Sequence, residues 1–134
     1  MSVTRVNPEE LYNSVVYGFS HAAVSEGGRM LHLAGQVAWD ANRELVGGGD
    51  LAAQARQCLA NLRAVLESEG AGPADLVRLR TYVVDHTPDK IGPVMGEIMA
   101  FYGDTTPAPN TWIGVPALAM PEFLIEIEGT ACLR

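Results

Sequence analysis

Basic residues are scarce in this chain. Nine Lys and Arg stand against 16 Asp and Glu, for a formal net charge of −7. That balance argues against nucleic acid as the main partner, because a phosphate backbone is gripped by clustered cations. Cysteine is nearly missing as well. Cys58 and Cys132 lie in unrelated segments without metal-ligand spacing, which reads as two buried thiols rather than a disulfide or redox pair. His21, His32 and His86 form no metal spacing either, so neither metal nor cofactor is expected. Glycine clusters once, at Gly47-Gly48-Gly49, but no Lys-Ser/Thr follows it, which excludes a phosphate loop. No apolar run reaches membrane-spanning length, and no charged-then-apolar leader opens the chain. The expectation is a soluble cytoplasmic protein with no membrane partner.

What is present fits one domain over residues 1–134. The chain is 48% apolar and 19% charged, enough for a globular core. Residues 2–6 alternate polar and β-branched, as a short edge strand would. Asn7-Pro8-Glu9-Glu10 reads as a turn or brief helical start. Gly18–Val24 reads as a strand, Glu26-Gly27-Gly28-Arg29 as a hairpin turn, and Met30–Ala34 as the returning strand. Residues 38–49 are loop-like.

Asp50 is placed to cap a helix. Leu51, Ala55, Cys58, Leu59, Leu62, Val65 and Leu66 then recur at helical spacing, leaving Gln54 and Arg56 outside the stripe. Gly70 is its stop signal. One stripe means one covered surface, so this helix lies on a sheet. Leu76–Val84 is a strand. Thr87-Pro88 opens a second helical segment with Ile91, Val94, Met95, Ile98 and Phe101 on one side. Pro93 is tolerable there only in the first turn. Gly103–Pro107 breaks it, and two strands follow, near Thr111–Val115 and Leu124–Cys132.

The predicted fold class is therefore α+β, a mixed sheet of about six strands with two helices on one face. The uncovered face is expected to remain partly apolar and to drive assembly into a closed ring of copies. The last strand holds the main chemical lead. Phe123, Ile125 and Ile127 share one face, and Leu124, Glu126 and Glu128 the other. Carboxylates in an apolar strand require water, a partner or a ligand on their face.

The hairpin ending in Ala34-Gly35-Gln36, the helix Ala52–Leu62, the strand Val77–Asp85 and the closing Leu124-Ile125-Glu126-Ile127-Glu128 together resemble the Rid family. These are the reactive intermediate deaminases, also called YjgF-like or L-PSP endoribonuclease-like proteins. The resemblance runs over nearly the whole chain. It implies a chorismate-mutase-like fold and a homotrimer with its sheets inside and three small-molecule clefts between subunits. In the deaminase branch an arginine two residues before a cysteine binds the substrate carboxylate. By resemblance, Asn110 stands at the arginine position and Trp112 at the cysteine position. Glu126 matches the branch's glutamate, Phe19 its cleft tyrosine, and the backbone at Gly35 belongs to the cleft. The implied roles are catalysis for Glu126 and substrate binding for Asn110, Trp112, Gly35 and Phe19. The carboxylate that would position water is kept, while the cation that would hold a 2-imino acid is absent. Arg78 or Arg80 of a neighbouring subunit could replace it.

Each residue also has a structural reading. Glu126 could be an interface carboxylate, Asn110 a turn residue after Pro109, and Trp112 interface packing. Three functions stay open: an imine or enamine hydrolase, a non-catalytic trimeric metabolite-binding protein, and, disfavoured by charge, an endoribonuclease.

Overall fold

The computed structural model describes residues 3–134. In chain order the elements are β1 (Val3–Val6), β2 (Ala22–Ser25), β3 (Met30–Gln36), α1 (Leu51–Ser68), β4 (Leu76–Val84), α2 (Ile91–Tyr102), β5 (Asn110–Val115) and β6 (Ile125–Cys132). Ser2, the start of the expected edge strand, lies outside the described residues. Four strands form the main sheet in the order β3-β6-β4-β5. β4 and β5 run parallel, and the other pairs are antiparallel. β1 and β2 form a separate antiparallel pair, and a bridge between Ser20 and Pro109 ties the segment before β2 to the chain entering β5. Six strands and two helices thus make the α+β fold the sequence predicts.

α1 begins where Asp50 accepts hydrogen bonds from the amides of Ala52 (3.0 Å) and Ala53 (3.3 Å). Its buried stripe includes Ala55, Cys58, Leu59, Leu62 and Leu66 and packs on β6 and β3. Gly70, at φ 71°, turns the chain away, a conformation that glycine adopts without strain. A short 3-10 turn at Pro88–Lys90 leads into α2, whose first turn accommodates Pro93. α2 buries Val94, Ile98, Phe101 and Tyr102. Between helices and sheet, Leu62, Leu66, Leu76, Leu79, Val83, Ile125 and Ile127 are fully buried. Among the described residues no helix is long and apolar enough to cross a membrane.

Two expectations need correction. Glu26–Arg29 does reverse the chain, but β2 and β3 do not pair across it: β2 pairs with β1, and β3 with β6. A Gly-Gly turn sets a local reversal, whereas a strand's partner is chosen by the residues it can bury against. Gln54 is not outside the helix stripe but fully buried. Its Nε2 donates to the carbonyls of Gly48 (2.7 Å) and Glu122 (2.9 Å), and its Oε1 accepts from the Leu124 amide (2.9 Å). The uncovered face of the sheet carries apolar residues as well as polar ones: Val84, Ile113 and Val115 lie beside His32, Arg78, Arg80, Tyr82, Glu126, Glu128 and Thr130, all half-buried or exposed. Alternation in β4 and β6 sends Leu79, Val83, Ile125 and Ile127 to the helices instead.

Candidate functional site

Two places on the domain hold the predicted site residues, and the strand registers keep them apart. Parallel pairing sets Leu79 beside Asn110 and Thr81 beside Trp112. Leu79 and Thr81 are fully buried beneath the helices, so Asn110 and Trp112 share the helix side of the sheet. Antiparallel pairing sets Tyr82 beside Glu126 and Arg80 beside Glu128. These alternate with the buried residues, so Glu126 and Glu128 belong to the uncovered side. β5 and β6 are also separated by β4, which adds roughly 10 Å across the sheet. Within one chain, Asn110 and Glu126 do not converge.

On the helix side lies a cavity of about 370 Å³. β5 contributes Asn110 and Trp112, α2 contributes Ile91, Met95 and Ile98, and the segment before β2 contributes Tyr12, Tyr17 and Phe19. That segment is well anchored. Asn7 donates through Nδ2 to Ser20 Oγ (3.1 Å) and accepts at Oδ1 from the His21 amide (2.9 Å). The Ser20 amide donates to Ala108 O (3.1 Å) and its hydroxyl to Pro107 O. Gly18 turns at φ 88° directly over Ile98, Met99 and Met95. The rings then pack edge to face, Tyr12 with Tyr17 (6.4 Å between centroids) and with Phe19 (6.3 Å). Trp112 is steered by His86: its Nε1 donates to His86 Nδ1 at 3.2 Å. The Thr81 hydroxyl donates to Asn110 Oδ1 at 3.1 Å, leaving the Asn110 amide hydrogens for other acceptors.

On the uncovered side Glu126 sits against Gly35. A Cβ added to Gly35 would overlap the Glu126 carboxylate, so glycine leaves the space that this side chain occupies. Among the described residues the Glu126 carboxylate has no hydrogen-bond partner. Partial burial, and secondarily the like charge of Glu128, raises its pKa above the ordinary glutamate value. Glu128 is tied down instead, accepting from the Tyr82 hydroxyl. That bond is the main reason why the Tyr82 pKa is raised. Both cysteines are free and buried. Among the described residues no group of three or more His, Cys, Asp or Glu could hold a metal ion.

Comparison with known proteins agrees with this architecture. The family model described as Endoribonuclease L-PSP matches residues 12–133. The chain belongs to that family, the Rid group of proteins. A crystal structure of the Rid protein YyfB from Yersinia pestis is 59% identical, with a TM-score of 0.96 and coverage of 99% of this chain and 100% of that one. The YjgF gene product of E. coli is 28% identical, with a TM-score of 0.70 over 81% of this chain and 84% of that one. A RutC family protein of Pyrococcus horikoshii is 32% identical over 108 residues, covering 79% of this chain and 81% of its own length.

In this Rid chain the predicted site residues therefore form two groups. Phe19, Asn110 and Trp112 share the aromatic cavity, and Gly35 and Glu126 share the other side. Sequence reasoning missed Tyr12 and Tyr17, which precede the strand it recognised. It also read Met95 only as part of the apolar side of α2. Ile91 and Met95 remain partly exposed, and the signal was available: the apolar stripe of α2 is wider than one sheet contact needs.

Proposed function

We propose that this protein is an imine or enamine hydrolase whose cleft forms between subunits of a homotrimer. The observation that carries this reading is Glu126, a partly buried carboxyl with raised proton affinity and, among the described residues, no competing hydrogen bond. Such a group suits general acid–base work near neutral pH. The parity of the strands supports the oligomer in this reading. One chain presents Asn110, Trp112 and Phe19 on one side of its sheet and Gly35 and Glu126 on the other, so a cleft using both groups needs two copies.

In the reaction, Glu126 accepts a proton from water as the water oxygen bonds to the imine carbon. The proton passes to nitrogen, giving a carbinolamine. The C–N bond then breaks as the new hydroxyl gives up its proton through the same carboxyl group to the departing amine. One water is consumed, and a carbonyl compound and one ammonia are released. Asn110 supplies a neutral amide donor in the place where the deaminase branch carries a cation.

That substitution favours one second reading, a trimeric metabolite-binding protein that keeps the cleft but not the chemistry. Ribonuclease activity is not favoured, because a net charge of −7 opposes phosphate binding. The test is ammonia release from freshly generated 2-iminobutyrate and from an uncharged ketimine, with wild type beside Glu126→Gln. Acceleration by wild type and its loss in the variant support the hydrolase. An inert wild type on both substrates leaves the binding protein. Sedimentation should give a particle three times the chain's 14.3 kDa, and a monomer would end the shared-cleft model.

A further inference from the structure

We infer that the cavity selects an uncharged ligand with a bulky apolar group, of about benzyl size, and discriminates against carboxylates. The inference rests on the cleft reading above but concerns recognition rather than hydrolysis.

Three observations support it. The first is composition. The walls supplied by Tyr12, Tyr17, Phe19, Trp112 and the α2 face include no Asp, Glu, Lys, Arg or His. The walls that one chain supplies offer an entering carboxylate no countercharge, and an unpaired charge in an apolar site is strongly disfavoured. The second is size. About 370 Å³ falls within the range of small-molecule sites, roughly 300–1,000 Å³, and a four-carbon ligand would leave much of it unfilled. Aromatic rings packed edge to face offer a third ring the same favourable geometry. The third is polarity. Trp112 Nε1 is committed to His86, and Asn110 Oδ1 is committed to Thr81. The Asn110 Nδ2 hydrogens remain, and they suit a neutral carbonyl oxygen or imine nitrogen.

Calorimetry with three non-hydrolysable probes tests this directly. Phenylacetone carries an apolar ring and a neutral carbonyl, phenylpyruvate adds a carboxylate to the same skeleton, and 2-oxobutyrate keeps the carboxylate but loses the ring. The expected order is phenylacetone first, phenylpyruvate roughly tenfold or more weaker, and 2-oxobutyrate without measurable binding. Met95→Trp should fill the cavity and abolish phenylacetone binding. Asn110→Arg should reverse the order in favour of phenylpyruvate. Equal or tighter binding of either carboxylate to wild type overturns the inference, as does the absence of binding by all three. So does full phenylacetone affinity in a folded Met95→Trp protein. Phenylacetone binding without ammonia release from its imine sinks the hydrolase and leaves this inference standing. Turnover of 2-iminobutyrate without phenylacetone binding does the opposite.

Discussion

The Thr81 hydroxyl donates to Asn110 Oδ1 at 3.1 Å, linking a fully buried β4 residue to the rim of the aromatic cavity. This bond decides which end of the Asn110 amide is free. Thr81→Val preserves shape but removes the donor. We expect a stability loss of roughly 0.5–1.5 kcal/mol in urea unfolding. Phenylacetone affinity should fall further than that of Asn110→Ala, because a released amide can turn its oxygen toward the ligand carbonyl. Unchanged affinity in Thr81→Val would show that Asn110 needs no such orientation.

Gly35 and Glu126 make a second pair with a sharp consequence. Gly35 does not use a left-handed backbone, so alanine is allowed there, but its Cβ would overlap the carboxylate. The obstructing atoms are the far end of a flexible side chain and can swing away. Gly35→Ala should therefore remain folded, with a near-native circular dichroism spectrum, and lose ammonia release about as completely as Glu126→Gln. A Gly35→Ala protein that keeps full turnover would detach Glu126 from the chemistry.

Much of this was legible beforehand, and the gaps have a common cause. The capping of α1 by Asp50, its stripe, the stop at Gly70 and the alternation of β6 are all local signals. Pairing is not local. The Gly27-Gly28 turn was visible, but the partner of β3 lies about a hundred residues later, so a hairpin was the natural misreading. Asn110 and Glu126 were both identified, yet their opposite facing depends on β4, which fixes the parity of both neighbouring strands. Gln54 was misjudged because polarity alone points outward, and only the carbonyls of Gly48 and Glu122 explain its burial.

Glu126 also predicts a pH dependence. Its folded-state pKa is raised by burial and by Glu128. As pH rises through the ordinary carboxylate range, the unfolded chain loses this proton first. The folded protein binds more protons across that window, so stability falls with pH there and stays lower above it. Glu126→Gln removes the penalty. The variant should melt above wild type at pH 7, with the gain vanishing below about pH 4. A variant less stable than wild type at pH 7 would contradict this sign.

The thiols give a chemical test of the core. Burial pushes the Cys58 pKa up to about 12, and both cysteines are buried and unpaired. Since the thiolate is the reactive form, the native protein should resist iodoacetamide at pH 8, while the urea-unfolded chain takes two adducts by mass spectrometry. Rapid native labelling at Cys58 would mean that α1 leaves the sheet easily.

Gln54 offers the most demanding prediction about the fold. Its amide joins the start of α1 to the Gly47–Gly49 loop and to the chain entering β6, so it helps to set where β6 begins and hence the position of Glu126 two residues beyond Leu124. Gln54→Leu matches the volume but strips partners from two carbonyls and one amide proton. Each buried group left without a partner costs roughly 1–3 kcal/mol, so the variant should lose on the order of 3 kcal/mol or more. Gln54→Glu keeps the acceptor for Leu124 but sets a buried carboxylate oxygen against the carbonyls of Gly48 and Glu122. A buried charge without a partner is disfavoured, so this variant should be destabilised in urea at least as much as Gln54→Leu. A Gln54→Glu protein as stable as wild type would show that the two donated bonds contribute nothing to the fold.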